Sequence, residues 1–574
     1  MSEQPLEKRR AGLLAPVFAM RHADDLGTGD TRAVKEAIDF CAHSGFKVLQ
    51  LLPVHETFGD HSPYNPISSR ALAPAFIYIE PELIPGLTRE EFDLAAPPAW
   101  REEMRAGIVR HGAVHPLKIQ ILRRAWHNLC EKGGCKDQDF ARFCEQEKTW
   151  LDHYTIFRLL IREYEGNTGW HDWRPEHRSY EGAQRWLSQH PDRQDLEQTR
   201  KGFAFIQWIA DRQWTEIRRH ADEQGVFLMG EISFGVGSGS ADVWANPLLF
   251  DPEWNMGTRP LAHFDTNKDA AAWGQNWGLP SYRWEQHRAE GFAWLRGRVA
   301  RQRKFFHLCR LDHLRGYFRI YAFPWPGGPR HSEYANLTPE EAALKTGGKL
   351  PRFTPGPDED PISASINEHQ GRELISIIKD EAGPMQLVAE IMGEMPEYMS
   401  RALEELELAN LAFPQLGMAA DVDPATYQLR ELALATYGNH DNAPLATHYT
   451  HLLQQAQSDP ESKEAAQLAW LLGFAKWDTS PPETLTNGLL SALQKVLFES
   501  RSRLAVLMCS DLLGIPLRFN LPGSYGIETW CDRLPVSFPS LLTHPHFAKR
   551  IQEVSEMIEA SGRGVSDQKP DRSD

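Results

Sequence analysis

A (β/α)8 TIM barrel, an α/β fold with an inserted helical subdomain and long loops on its C-terminal face, is the class the sequence predicts. Three observations carry that expectation. Eight short apolar runs lie between stretches of helical spacing. The first three elements read strand, helix, strand, the unit that joins parallel strands by a right-handed crossover. Four of the runs end in an acid (Glu231, Asp312, Glu390 and Asp441), as expected where every strand opens onto one functional face. A chain of 574 residues suits either two to four ordinary domains or one barrel with insertions.

Residues 13–20, LLAPVFAM, read as the first strand. The loop HADDLGTGD follows, with Asp30 placed to cap the helix TRAVKEAIDFCAH, which stops at Gly45. FKVLQLLPV is the second strand, and a loop rich in Gly, Pro, Ser and aromatics runs on from it. Residues 81–223 are charged, helical in spacing and too long for a connection, so they read as a helical subdomain inserted between strands two and three. VFLMGEISF, 226–234, is the third strand. After irregular stretches up to Tyr282 and a helix near 285–304, Phe305 to Leu311 is the fourth. Residues 320–370 carry many Pro and Gly with little periodicity, the composition of a lid or substrate loop. The remaining strands are predicted at 385–393, 408–416, 432–441 and 504–514. The barrel thus takes residues 10–54 and 224–555, and the polar residues 560–574 read as a disordered tail.

The net charge of −16 argues against nucleic acid or an anionic membrane as the main partner. No stretch reaches the length of a membrane span. The 7 cysteines are scattered and form neither a disulfide framework nor a CxxC site, which suits a reducing cytoplasm. EKRR followed by AGLLAPVFAM has the outline of a secretory leader. Its apolar run is short, contains Pro16 and lacks a small-residue cleavage site, so the expected location is cytoplasmic.

The chemistry centres on RLDHLRG, residues 310–316. Arg310 and Asp312 are two apart on a strand, so both side chains share a face, and the guanidinium would orient an ionised carboxylate. A structural ion pair would look the same. Four acids converging on one barrel mouth suit two chemistries: divalent metal binding, or glycoside cleavage by paired carboxylates. Metal sites more often show ligand pairs such as DxD at strand ends, and only His440-Asp441 comes near that. Glu390 follows Leu387, Val388 and Ala389, an apolar setting that favours a raised pKa.

The ordered set KVLQLLPVHETFGDHSPYNPISS, SADVWANPLLFD, GQNWGLP, RLDHLRGY, VAEIMGEMP, GNHDN and SDLLG…RFNLPG, spread over residues 10–535, resembles the 4-α-glucanotransferase family. That family (amylomaltase or disproportionating enzyme, glycoside hydrolase family 77) is related to the α-amylases. The resemblance implies transfer of α-1,4-glucan segments between oligosaccharides, with retention of configuration and without metal or organic cofactor. It implies that Asp312 is the nucleophile, Glu390 the general acid/base and Asp441 the third carboxylate, binding sugar hydroxyls. Arg310 matches the arginine that orients the nucleophile, His440 and His313 match sugar contacts, and Tyr64, Asp242 and Trp277 lie in motifs like substrate-binding loops. Glu231 stands where the family usually has Asp and is expected to play a supporting hydrogen-bond role. Trp244 and Trp277 fit packing under a loop as well as sugar contact. The chain departs from the family's Asn-Trp-x-Trp-Arg ending with Thr529, Trp530, Cys531, Asp532 and Arg533, which bears on acceptor-side packing. An α-amylase-like hydrolase is the rival within the class, and a glucan-binding protein without catalysis the rival outside it.

Overall fold

The computed structural model describes residues 4–260, 268–327, 330–391, 395–414, 422–522 and 529–564. Residues 565–574 of the tail, and 392–393 and 415–416 at the ends of two predicted strands, lie outside the described residues. Twelve strands follow in chain order. They are β1 (Arg10–Leu14), β2 (Val48–Gln50), β3 (Phe227–Ile232), β4 (Phe250–Thr258), β5 (Gln275–Tyr282) and β6 (Leu308–Leu311). Then come β7 (Ile320–Phe323), β8 (Arg352–Thr354), β9 (Gln386–Ala389), β10 (Ala409–Ala412), β11 (Ala433–Ala435) and β12 (Leu504–Met508).

Eight of these strands, β1, β2, β3, β6, β9, β10, β11 and β12, pair in parallel with their neighbours and close into a barrel. Helices surround it, so the architecture is a (β/α)8 barrel. Barrel strands are covered by side chains inside and helices outside, so they read as apolar runs without alternation. The register sets Arg310 of β6 beside Glu231 of β3 and Val388 of β9. Glu231 on β3, Asp312 just after β6 and Glu390 just after β9 therefore emerge near one level of the C-terminal face.

The first strand is displaced from the sequence reading of 13–20. It spans Arg10–Leu14, and Val17–Ala19 form a 3-10 turn after Pro16. Proline has no N–H for the ladder, so pairing stops before it. Arg10 is buried because its Nε donates to the Pro5 carbonyl at 3.0 Å and its guanidinium lies 4.8 Å from the Phe227 ring centroid. A buried arginine at a strand start is what hid this strand from a search for apolar runs.

A second sheet covers one side of the barrel mouth, with antiparallel order β5-β4-β7-β8. Residues 250–282 and 320–370 are thus not the irregular stretches predicted, because each contributes two strands. Periodicity fails there for a local reason. The register between β4 and β5 shifts twice, between Asp251 and Asn255 and between Met256 and Gly257, and each bulge breaks the alternation of faces. Gly257 is required at the second shift, since a Cβ there would meet the Gln275 carbonyl at 1.8 Å. Phe323, Trp325 and Ala342 form a small core of their own behind this sheet. Helix Pro361–Ala382 begins within the segment read as a lid.

Between β2 and β3 the chain is helical, ending in the 32-residue helix Arg193–Gln224. This helix also packs against the barrel helix Thr31–His43: Thr31 Oγ1 donates to Gln213 at 2.6 Å, and His220 meets Asp39 at 2.6 Å. Its C-terminal half therefore packs onto the barrel wall. No helix among the described residues is long and apolar enough to cross a membrane.

Candidate active site

Glu231 within β3 and Asp312, Glu390 and Asp441 in the segments after β6, β9 and β11 gather around one guanidinium. Arg310 lies on β6 with its backbone in the ladder, and its Nη1 donates to Glu231 and, at 2.9 Å, to Asp312 Oδ1. Its Nη2 stands 4.0 Å from Glu390 Oε1. The side chain is almost wholly buried, so these attractions act with little screening by water. Burial alone would lower the arginine pKa, but Glu231, Tyr64, Asp312 and Glu390 raise it well above its ordinary value. The cation is permanent and its position is over-determined.

Backbone amides complete the orientation of two acids. Phe234 N–H donates to Asp312 Oδ2 at 3.1 Å, so both carboxylate oxygens of Asp312 are held from one side. His313 N–H donates to Glu390 Oε2 at 2.9 Å. That amide is aimed by a left-handed backbone at His313, with φ 43°. A non-glycine residue held there stores strain of about 1 kcal/mol or more, a cost typical of functional loops. The His313 ring lies edge-on to Trp277, 4.8 Å between centroids, and to Phe234 at 5.7 Å. Burial lowers its pKa to about 4, so at neutral pH it is an uncharged imidazole able to exchange hydrogen bonds with hydroxyls.

Three of the four acids around Arg310 differ in charge preference. Burial, reinforced by the charges of Asp312 and Asp441 against the pull of Arg310, pushes Glu390 up to about 7. Burial also raises Glu231, with Arg310 opposing. Asp441 goes the other way. Burial disfavours its charge, yet the His440 ring 3.1 Å from Oδ2 and the Asn520 amide 2.6 Å from Oδ1 hold it well below the carboxylate range. One acid is thus poised to carry a proton near neutrality while another is locked as an anion, the pattern that separates acid from electrostatic roles.

Tyr64 stacks on His440, with centroids 5.1 Å apart and planes 22° apart. Trp530 closes the same corner, 6.1 Å from Tyr64 and 5.8 Å from His440. Tyr64, Trp277, Arg310, His313 and His440 therefore join the three acids at one mouth. Asp242 does not. Its carboxylate accepts from Ser69 N at 2.7 Å, Ser69 Oγ at 2.8 Å and Trp294 Nε1 at 2.8 Å, which ties the loop after β2 to the helix Ala293–Phe305. These three contacts give Asp242 an anchoring role between the two segments. Asp242→Ala leaves three buried donors without an acceptor and is expected to cost about 2–4 kcal/mol, read as a lowered Tm. Trp244 is fully buried with its indole N–H on the His177 carbonyl at 2.8 Å, so it packs under the loop.

One residue at the site, Asn520, was not singled out from the sequence. Asn520 lies in the RFNLPG motif, far along the chain from Asp441, and only the closed barrel reveals its contact. Thr529 Oγ1 donates to Asn520 Oδ1 at 3.0 Å and so fixes which face of the amide meets Asp441. The stretch Thr529–Arg533 thus packs behind Asp441 and His440, and Arg533 is buried against Asp25 at 2.7 Å. Among the described residues, no group of three or more His, Cys, Asp or Glu side chains is arranged to hold a metal ion.

Residues 15–537 match the family model described as 4-alpha-glucanotransferase. The 4-alpha-glucanotransferase of Chlamydia caviae is 25% identical over 559 residues, covering 95% of this chain and 94% of that protein. That of Thermus thermophilus is 26% identical over 543 residues, covering 92% and 94%. Among solved structures, the amylomaltase of Streptococcus agalactiae in complex with acarbose superposes with a TM-score of 0.73 at 21% identity, over 97% of this chain and all of that one. The Corynebacterium glutamicum amylomaltase gives 0.71 at 19% identity, over 96% of this chain and 75% of that one.

Proposed function

The chain belongs to the 4-alpha-glucanotransferase family, and we propose that it acts by a double displacement in which Asp312, Glu390 and Asp441 divide the work. The observation that carries this reading is the Arg310-centred cluster: one oriented carboxylate, one carboxyl poised near neutrality and one anion fixed by His440 and Asn520. The substrates are α-1,4-linked glucan oligosaccharides as donor and acceptor, and the location is the cytoplasm.

In the first step Asp312 attacks the anomeric carbon while Glu390, protonated, gives its proton to the leaving glycosidic oxygen. Arg310 and the Phe234 amide hold the attacking carboxylate in one orientation, which lowers the entropic cost of reaching the in-line geometry. Asp441, held charged, accepts hydrogen bonds from hydroxyls of the sugar as positive charge grows at its ring. In the second step Glu390, now a carboxylate, takes the proton from the acceptor hydroxyl as that oxygen displaces Asp312. Arg310 keeps its charge throughout, so it can compensate whichever acid is ionised.

Donor attack requires Glu390 protonated. With its pKa raised to about 7, kcat/KM should be sustained below that pH and fall about tenfold per unit above it. The limb should be absent in Glu390→Gln, measured with a donor whose leaving group needs no proton.

Transfer and hydrolysis are distinguished by products from maltotriose. Water is present at about 55 M, so transfer dominates only where the site presents the acceptor at high effective concentration. The expected result is glucose together with a ladder of longer oligosaccharides at nearly constant total reducing ends. A steady rise in reducing ends, with no product longer than the substrate, would replace this reading by a hydrolase.

A further inference from the structure

A cavity of about 1360 Å³ lies between the loop after β2 and helices His111–Glu131, Lys148–Glu163 and Arg193–Gln224. Four arginines line it: Arg123, Arg124, Arg158 and Arg162. They are not equivalent. Arg124 is spent on Glu91, 3.0 Å away. Arg158 stands 3.5 Å from Glu56, but that carboxylate also receives the Tyr154 hydroxyl at 2.5 Å and His115 at 3.3 Å. Arg162 reaches the Thr199 hydroxyl at 3.3 Å. Arg123 makes no ion pair with any carboxylate among the described residues.

These three guanidinia are close to one another. Arg123 and Arg158 both lie over the Phe203 ring, 5.9 and 5.1 Å from its centroid. Arg158 and Arg162 are four residues apart on one helix, the spacing at which like charges repel. Burial, with Arg162 and Arg158 adding to it, lowers the pKa of Arg123. The Nε of Arg158 is buried without a hydrogen-bond partner among the described residues. The acids in the lining are Glu91, already paired, and Asp195. In a chain with a net charge of −16, this is a local gathering of positive charge: Arg158 is held charged by Glu56 and Tyr154 but keeps a buried Nε without a partner, Arg162 donates to Thr199, and Arg123 has no carboxylate partner among the described residues.

We propose that this cavity binds a small sugar phosphate, with the phosphate held by Arg123, Arg158 and Arg162. Guanidinium forks match phosphate oxygens in geometry and charge, and a desolvated anion would remove the repulsion among them. Gln198 and Thr199, which also line the cavity, offer side-chain partners for the hydroxyls of the attached sugar. The volume is ample for a monosaccharide phosphate, since ordinary small-molecule pockets run to about 300–1,000 Å³.

The test is calorimetric titration of the full chain with glucose 6-phosphate, glucose 1-phosphate, inorganic phosphate and glucose at constant ionic strength. A phosphorylated sugar should bind saturably, inorganic phosphate more weakly, and glucose at least tenfold more weakly. Arg123→Gln, and separately Arg162→Gln on the exposed end of the cluster, should each weaken the sugar phosphate at least tenfold. Arg124→Gln should change it by less than twofold, and the Arg123 and Arg162 variants should transfer from maltotriose at the wild-type rate. Glucose binding as tightly as its phosphates, unchanged affinity in Arg123→Gln, or no saturable binding would each overturn the proposal. Inorganic phosphate binding as tightly as the sugar phosphates would overturn the assignment of a sugar. None of these outcomes bears on the chemistry at Asp312.

Discussion

Asp312→Asn should lower the rate of maltotriose disproportionation by ~10⁴-fold or more, because an amide cannot form the glucosyl ester. The substitution preserves shape but not polarity. Both partners of the native carboxylate, the Arg310 guanidinium and the Phe234 amide, are donors, so the new NH2 group must face one of them. A modest loss of stability is therefore expected alongside the catalytic one, on the order of 1–2 kcal/mol. Initial rates, set beside a thermal melt of the same preparation, separate the two effects. A folded variant that retained more than about one hundredth of the activity would remove Asp312 from the nucleophile's role.

Glu390→Gln should depress turnover of ordinary glucans by ~10²–10⁴-fold, the usual contribution of a positioned acid/base. The loss should depend on the donor. With a leaving group such as fluoride, which departs without a proton, the first step should survive while the second remains slow. Glutamine keeps an amide oxygen for the His313 N–H, so the loop that carries His313 should hold its left-handed turn. Equal loss for both kinds of donor would indicate that Glu390 is needed for the local structure and not for proton transfer.

The barrel and its acids were legible in the sequence for a physical reason. Strands covered on both faces read as apolar runs, and the first polar residue after each run marks the barrel mouth. The alternation of faces along a strand then pairs Arg310 with Asp312. Where those rules lapse, so did the reading. β4 and β5 carry two register shifts, and no period of two survives them. β1 begins with a buried arginine whose solvation comes from a carbonyl and a ring supplied by the tertiary fold. Asp242 sits within a motif shared with the family, and its three donors come from segments remote in sequence, so its anchoring role needed coordinates. The same holds for Asn520, whose amide meets Asp441 only because β11 and β12 are neighbours in a closed barrel.

The division of labour among the acids has a direct readout. Glu390→Gln incubated with α-glucosyl fluoride should accumulate a covalent adduct, since the second step lacks its base. Proteolysis and mass spectrometry should place one added glucosyl unit on the peptide containing Asp312. An adduct on a peptide carrying Glu231 or Asp441 instead would contradict the mechanism.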